Sequence, residues 1–495
     1  MVKRVPGLEN RGKFRAVFYM EHRDPFLNIS PLDHRYWAAN KELFDRLSET
    51  LSETASVRYL VRAEASLLKA HIRAHLAGTP SYLDAADSLE ATVTPEEVAA
   101  EEEITRHNIR ALVNVIQRHL PEELTPWVHL GATSVDILDT AMAMRVRDAV
   151  RGTVMPLLLD LLDVLIRIAR DESATPQAGR THGQLAVPIT FGFAAAEYVS
   201  RLGQSLIEIE KRSAALRGKL AGAVGAYNAT SIIVEDPEAL EEEYLGALGL
   251  ERADYANQIV EPEHLLRLLL EINVAFGILA NLADDLRHLQ RSEIGEVAES
   301  FGQGQVGSST MPQKRNPWNS EHVKSLWKAF APRIMSFYMD QISEHQRDLS
   351  NSASGRFVTD YIAGFAAAAA RMKKVVEGLT VNRGRMLANL SGLGDGILAE
   401  PTYILLALGG FGDAHEIVRK ATLKADSAGR SLKDVLKEEN PEAWAVLSTR
   451  LTGVLGVSAE EFYADPAAYS GIASKRALDL AGKYETAALR IREGL

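Results

Sequence analysis

Four stretches of this chain run for 25 residues or more with few residues that break a helix: Asp136–Asp171, Thr190–Leu220, Glu261–Glu299 and Asn319–Ser343. The first is interrupted by Pro156. Each carries apolar residues at three- and four-residue spacing, the pattern of a helix with a buried stripe. Four such runs in succession leave few folds open. They predict an all-α protein built around a bundle of long helices, its core filled by Leu, Ile and Ala. The alanine-rich run Phe365–Arg371 suits close helix–helix packing.

The flanks read as helical too. Val57–Leu76 is amphipathic, with Leu60, Ala63, Leu67 and Leu68 on one side and Arg58, Arg62 and Lys69 on the other. Thr94 before Pro95-Glu96-Glu97 is a helix start, and that helix is expected to run to about Leu120, where Pro121 ends it. Short strands are expected only near Phe14–Tyr19 and Ser231–Val234. Gln177–Pro188 and the Gly-rich Gly302–Pro317 read as loops. From about Val381 the helices shorten, punctuated by Gly392-Leu393-Gly394, Gly409-Gly410 and Pro441. The expected division is an N-terminal part (1–127), a central long-helix bundle (128–378) and a C-terminal part (379–495).

Composition narrows the chemistry. The absence of cysteine excludes disulfides, a thiolate nucleophile and cysteine-ligated metals. A net charge of −11 argues against general nucleic-acid binding, although a locally basic pocket can still take an anion. There is no dinucleotide fingerprint and no convincing metal-ligand cluster. Lys3, Arg4, Arg11, Lys13 and Arg15 resemble the start of a targeting peptide, but Arg23 and Asp24 interrupt before an apolar region forms. Apolar stretches such as Met155–Ile168 are too short to span a bilayer. The expectation is a soluble, cytoplasmic protein.

The most informative stretch is Gly307-Ser308-Ser309-Thr310-Met311-Pro312-Gln313-Lys314-Arg315-Asn316-Pro317. It gathers hydroxyls, free backbone N–H groups and an ammonium in one short loop, a suitable place for a developing anion. On physical grounds alone an ordinary surface loop remains a competing explanation.

This stretch matches G-S-S-x-M-P-x-K-x-N-P at every fixed position and so resembles the fumarase/aspartase superfamily. Other segments are similar to its adenylosuccinate lyase branch. They include Gly179-Arg180-Thr181-His182-Gly183-Gln184 with Thr190-Phe191-Gly192, and His129-Leu130-Gly131-Ala132-Thr133-Ser134-Val135-Asp136 followed by Asp139-Thr140-Ala141. Thr105-Arg106-His107-Asn108, the run Leu286–Val297, Ser30–Tyr36, and Arg347–Ser352 with Arg356 also match. Gln313, Leu185 and Asn108 depart from the branch pattern. The resemblance spans roughly residues 28–420.

The resemblance implies an anti β-elimination that breaks a C–N bond and releases fumarate, with no cofactor and no metal. It implies Ser309 as the base, with Ser308 the second candidate, and His182 as the acid for the departing nitrogen. An unperturbed serine is too weak a base at neutral pH, so Lys314 and backbone N–H groups must stabilise its alkoxide. Lys314 and Asn316 would hold the succinyl carboxylate, and Glu321 would pair with His182. Thr133, Ser134 and Gln258 are expected on the carboxylates. His107 and His129 are expected on phosphate or carboxylate, and Arg35, Tyr36, Arg347, Ser352 and Arg356 on a nucleotide phosphate. Asn108, Thr181 and Met311 complete the expected substrate contacts. The implied assembly is a homotetramer with a twenty-helix core and active sites shared between subunits. Argininosuccinate lyase, a carboxymuconate cycloisomerase and a non-catalytic scaffold of the same superfamily stay open as alternatives.

Overall fold

The computed structural model describes residues 27–302, 310–392 and 394–495. The strand expected near Phe14–Tyr19 lies outside them. The fold is all-α, as expected. In chain order the principal helices are α1 (Glu53–His75), α2 (Asn108–Arg118), α3 (Ser134–Ala149), α4 (Met155–Asp171), α5 (Phe191–Ala214) and α6 (Pro237–Gly246). They continue with α7 (Glu263–Leu289), α8 (Trp318–Phe330), α9 (Val358–Glu377), α10 (Arg383–Ser391) and α11 (Ala473–Gly494). Strands β1 (Pro176–Thr181) and β2 (Gln184–Thr190) pair antiparallel, β3 (Arg217–Gly218) and β4 (Glu251–Arg252) parallel, and β5 (Val297–Ala298) and β6 (Thr380–Val381) antiparallel.

The chain divides into two compact units. One takes in the described residues up to Val146, with Leu216–Glu261 and Glu344–Asp348; the other is Arg147–Ala215, Pro262–Ser343 and Leu349–Leu495.

In the first unit α1 is buried on most of its circumference, with Ala63, Leu67 and Ile72 at 0% exposure. It starts four residues before the expected Val57, because the Ser52 side chain accepts the Ala55 N–H and caps it. The helix after Thr94 has the expected cap, reinforced by Glu97 reaching back to the Thr94 N–H. It does not run to Leu120. Arg106 turns left-handed at φ 54° and the chain restarts as α2, with His107 as cap: its Nδ1 accepts the Arg110 N–H at 3.2 Å. The polar run Thr105–Asn108 offers the backbone local partners that compete with helical ones. The strand expected at Ser231–Val234 is also corrected. Thr230–Ile233 is a single helical turn, with Thr230 buried and its hydroxyl donated to Tyr227 O.

The second unit is the long-helix bundle. α5 packs against α4, α7 and α11, and α8 and α9 pack against α7. Phe276 and Phe365 meet edge to face at 5.3 Å. Ala366–Ala369 are buried, and a methyl group at Gly364 would collide with the Phe330 ring, which confirms close packing at the alanine-rich run. The stretch Ser134–Asp171 stays helical through Pro156 because a π-helical turn at Val150–Val154 absorbs its missing donor. The run expected to Glu299 ends at Leu289, and Gly295 at φ 61° turns the chain into β5. The run expected to Ser343 breaks at Phe330, where Pro332 sits in a 3₁₀ turn, and resumes as a helix over Ile334–Met339.

α7 is long and apolar enough to cross a membrane on length and composition alone. It carries Arg267 and Glu271, and its buried side is covered by α5, α8 and α9, so the composition is that of a bundle core. The shorter C-terminal helices build a second core around Leu398, Leu406, Val435 and Leu451. The last helix, α11, leaves them to pack on α4 and α5, where Arg170 grips Glu485 through two bonds of 2.6 Å.

Candidate active site

The segment Gln177–Pro188, expected to be a loop, is a β-hairpin. Thr181 pairs with Gln184 across a two-residue turn, His182-Gly183, with φ of 55° and 73°. Positive φ at both central positions is the type I′ geometry that matches strand twist. Glycine adopts it freely; at His182 it is a strained conformation of about 1–3 kcal/mol that the surrounding pairing must hold. Thr181 and His182 are both exposed. The hairpin therefore presents an imidazole at its tip on a rigid stem.

Glu296 fixes that stem. It is fully buried and accepts from Gln177 Nε2 (2.8 Å), Arg180 Nη1 and Nη2 (3.1 and 2.5 Å) and Asn389 Nδ2 (2.9 Å) on α10. Three residues on, Glu299 accepts from Ser320 N and Oγ (2.8 and 2.6 Å) and Asn319 Nδ2 (2.9 Å) at the start of α8. A carboxylate there satisfies amides that the helix leaves open and complements its dipole. Glu299 thus joins the two ends of the stretch that carries the signature. Ser308 and Ser309 lie outside the described residues. Met311 and Lys314 are exposed, with Lys314 N bonded to Met311 O at 3.0 Å. Asn316 is half-buried, and Glu321 is exposed in the first turn of α8. Among the described residues, the side chains of His182 and Glu321 make no hydrogen bond to each other. Ser352 and Arg356 are exposed on a five-residue helix.

The first unit holds the remaining candidates. His129 has φ 61° and Gly131 φ 80°, and a methyl at Gly131 would stand 2.8 Å from Ile233 Cδ1. His129 Nδ1 lies 2.7 Å from Glu64 Oε1, a carboxylate with 0% side-chain exposure. Burial opposes the imidazolium, and Arg110 does so weakly. The Glu64 bond and charge, with Asp136, outweigh them and raise the His129 pKa.

Thr133 N donates to Asp136 Oδ2 at 2.7 Å, and Ser134 opens α3. Asp136 forms a fully buried ion pair with Lys219 and also accepts from Ala221 N (3.2 Å) and Gly222 N (3.3 Å). That knot fastens the 129–134 turn to the 219–222 strand exit. Asp139 accepts Val260 N at 2.9 Å, and Gln258 N donates to Gln346 O at 3.3 Å, so Gln258 and Arg347 sit on adjoining backbone. Burial pushes the Asp139 carboxyl up to about 6, against the Val260 bond and the charges of Lys219 and Arg347. His107 and Asn108 are exposed at the head of α2, and Arg35 and Tyr36 open the helix Arg35–Ala39. Left-handed backbone at His129, His182 and Arg347 falls inside three of the matched motifs, where strain is commonly stored for function.

Residues 51–329 match a lyase family model and 343–452 the adenylosuccinate lyase C-terminal model. The chain is 32% identical over 435 residues to adenylosuccinate lyase of Pyrococcus abyssi, covering 85% of this chain and 92% of that one.

The chain belongs to the adenylosuccinate lyase family.

The enzyme of that name from Archaeoglobus fulgidus is 32% identical over 83% of this chain and 90% of its own. Among solved structures, a fumarate lyase from Mesorhizobium superposes with a TM-score of 0.72 at 25% identity, covering 88% of this chain and 97% of that one. The 3-carboxy-cis,cis-muconate lactonizing enzyme of Pseudomonas putida gives 0.72 at 25% identity, covering 92% and 100%. Within this family frame, Glu64, Lys219, Glu296 and Glu299 are supports that sequence reading missed. Glu64 had one visible signal, a carboxylate set among the apolar positions of α1.

Proposed function

We infer that this chain cleaves adenylosuccinate to AMP and fumarate, and the related succinylated imidazole carboxamide ribotide by the same β-elimination. The observation that carries the reading is identity of 32% to adenylosuccinate lyase across 85% of the chain, with the signature loop complete.

Ser309 removes the Cβ proton, while Lys314 and Asn316 hold the carboxylate on which charge develops. His182, on its hairpin tip, protonates the departing nitrogen, with Glu321 as its partner. Thr133, Ser134 and Gln258 bind the succinyl carboxylates. Arg35, Tyr36, His107, Asn108, Arg347, Ser352 and Arg356 form the phosphate side, and Thr181, Ser308 and Met311 line the remainder. The protein works as a cytoplasmic homotetramer with shared sites. The exposure of His182, Lys314 and Glu321 in a single chain supports that arrangement, since such groups need a wall to exclude water. The three-part division at 127 and 378 describes how the chain is laid out in that assembly.

Purified protein given adenylosuccinate should release fumarate and AMP, followed by ultraviolet absorbance and chromatography. Ser309→Ala should abolish turnover and leave the circular dichroism spectrum and the assembly size unchanged. Fumarate from argininosuccinate instead would overturn the phosphate assignments. Silence with both substrates would leave the scaffold or the cycloisomerase.

A further inference from the structure

We propose that Glu64 is a positioning residue that holds His129 as an Nδ1-protonated imidazolium, its Nε2–H edge offered to an anionic oxygen of the substrate. The proposal rests on the functional reading above for the identity of that anion, and on geometry for everything else.

Glu64 sits on α1 with 0% side-chain exposure, and its one hydrogen bond among the described residues is the 2.7 Å contact from Oε1 to His129 Nδ1. Its other oxygen, Oε2, is buried with no hydrogen-bond partner among the described residues. A carboxylate so placed is stable as an anion only with a cation against it. The groups around the pair identify that cation. Asp136 of α3 is an anion already paired with Lys219. Tyr244 of α6 is buried, with its phenol driven strongly toward the neutral form. Arg110 of α2 contributes only a weak opposing charge at His129. His129 itself is left to supply the positive charge. Because an ionised carboxylate only accepts, Nδ1 must carry a proton. That leaves Nε2 as the free edge, unbonded among the described residues, on a side chain that keeps 20% exposure.

The same helix grips the turn a second time. His71, seven residues along α1 and so on the same face, is fully buried and donates Nε2–H to Leu130 O at 2.9 Å. Burial lowers its pKa, the Leu130 bond opposing and His75 adding to the fall, so it acts as a neutral donor. Glu64 holds the ring and His71 holds the backbone next to it. Between them they account for the left-handed conformation at His129, which nothing in its own side chain favours enough to explain. A histidine placed only to fill the core would have needed neither a buried charge nor a strained backbone.

The experiment uses the whole protein, with adenylosuccinate as probe. Glu64→Gln keeps an acceptor for Nδ1–H and removes the charge; Glu64→Leu removes both. In wild type, NMR titration of the His129 ring should place its pKa above the ordinary histidine value of about 6.5. In Glu64→Gln it should fall below the wild-type value. KM should then rise about tenfold or more at pH 8, with kcat within about twofold, and by clearly less at pH 6, where more of the ring population carries its proton. Glu64→Leu should raise KM at both pH values. A His129 pKa at or below 6.5 in wild type would overturn the proposal without reference to turnover, even if a variant failed to fold. So would a KM for Glu64→Gln that is unchanged, or raised equally at both pH values. No fumarate from wild type would defeat the functional reading instead, and the ring titration would still decide the role of Glu64.

Discussion

Replacing Glu296 with glutamine should loosen the hairpin that carries His182 while the rest of the bundle stays folded. Glu296 is fully buried and accepts four hydrogen bonds, two of them from the guanidinium of Arg180, whose side chain is 20% exposed. Glutamine keeps one acceptor oxygen, turns the other into a donor facing donors, and leaves the Arg180 charge without its counterion. Breaking a largely buried pair from one side costs about 3–5 kcal/mol. The partial exposure of Arg180 lets water recover part of that, so about 2–3 kcal/mol is expected locally. At about 1.4 kcal/mol per factor of ten, amides across 176–190 should exchange on the order of 30- to 100-fold faster. Hydrogen exchange read by mass spectrometry resolves this, with peptides from α5 and α9 as unchanged controls. Since His182, the proposed acid, is displaced and the proposed binding groups are not, kcat should fall by tenfold or more with KM little altered. Unchanged exchange in β1 and β2 would refute the reasoning, as would a fall in activity expressed only through KM.

Two further outcomes follow from the first unit. Lys219→Met strands Asp136 as an uncompensated buried anion and should cost about 3–5 kcal/mol, read as a lower urea midpoint; no change would mean that the amides of Ala221 and Gly222 suffice. Asp139, pushed up to about 6 by burial, is an acid whose folded pKa exceeds its unfolded value. The folded state therefore holds its proton more tightly, and this contribution to stability is lost as pH rises from about 4 through 6. Asp139→Asn removes that loss, so its melting temperature relative to wild type should climb between pH 5 and pH 8; a flat difference would contradict the burial argument.

Helical class, the existence of the long bundle and the signature loop were legible in the sequence because each is local. A buried stripe repeats every three or four residues, and a signature motif keeps its residues adjacent. Boundaries failed where competition was also local but finely balanced. The Arg106 break depends on whether His107 caps a new helix or continues the old one. The hairpin at β1 and β2 was missed because Pro176, Gly179, Ala186 and Pro188 carry little strand propensity, and its stem is held by Glu296, 116 residues from Arg180. Pro156 announced a break that a π-helical turn absorbed.

What the sequence by itself determined was the chemistry available: a Ser/Lys/Asn loop, histidines set in recognisable motifs, no thiol, and helices long enough to hold them apart. What only the tertiary structure decided was which charge state and conformation each group is held in. Glu64 meets His129 across 65 residues, and Asp136 meets Lys219 across 83. Nothing in local propensity links such pairs. Burial makes an unpaired charge costly there, so packing selects the partner, and the partner in turn fixes the proton.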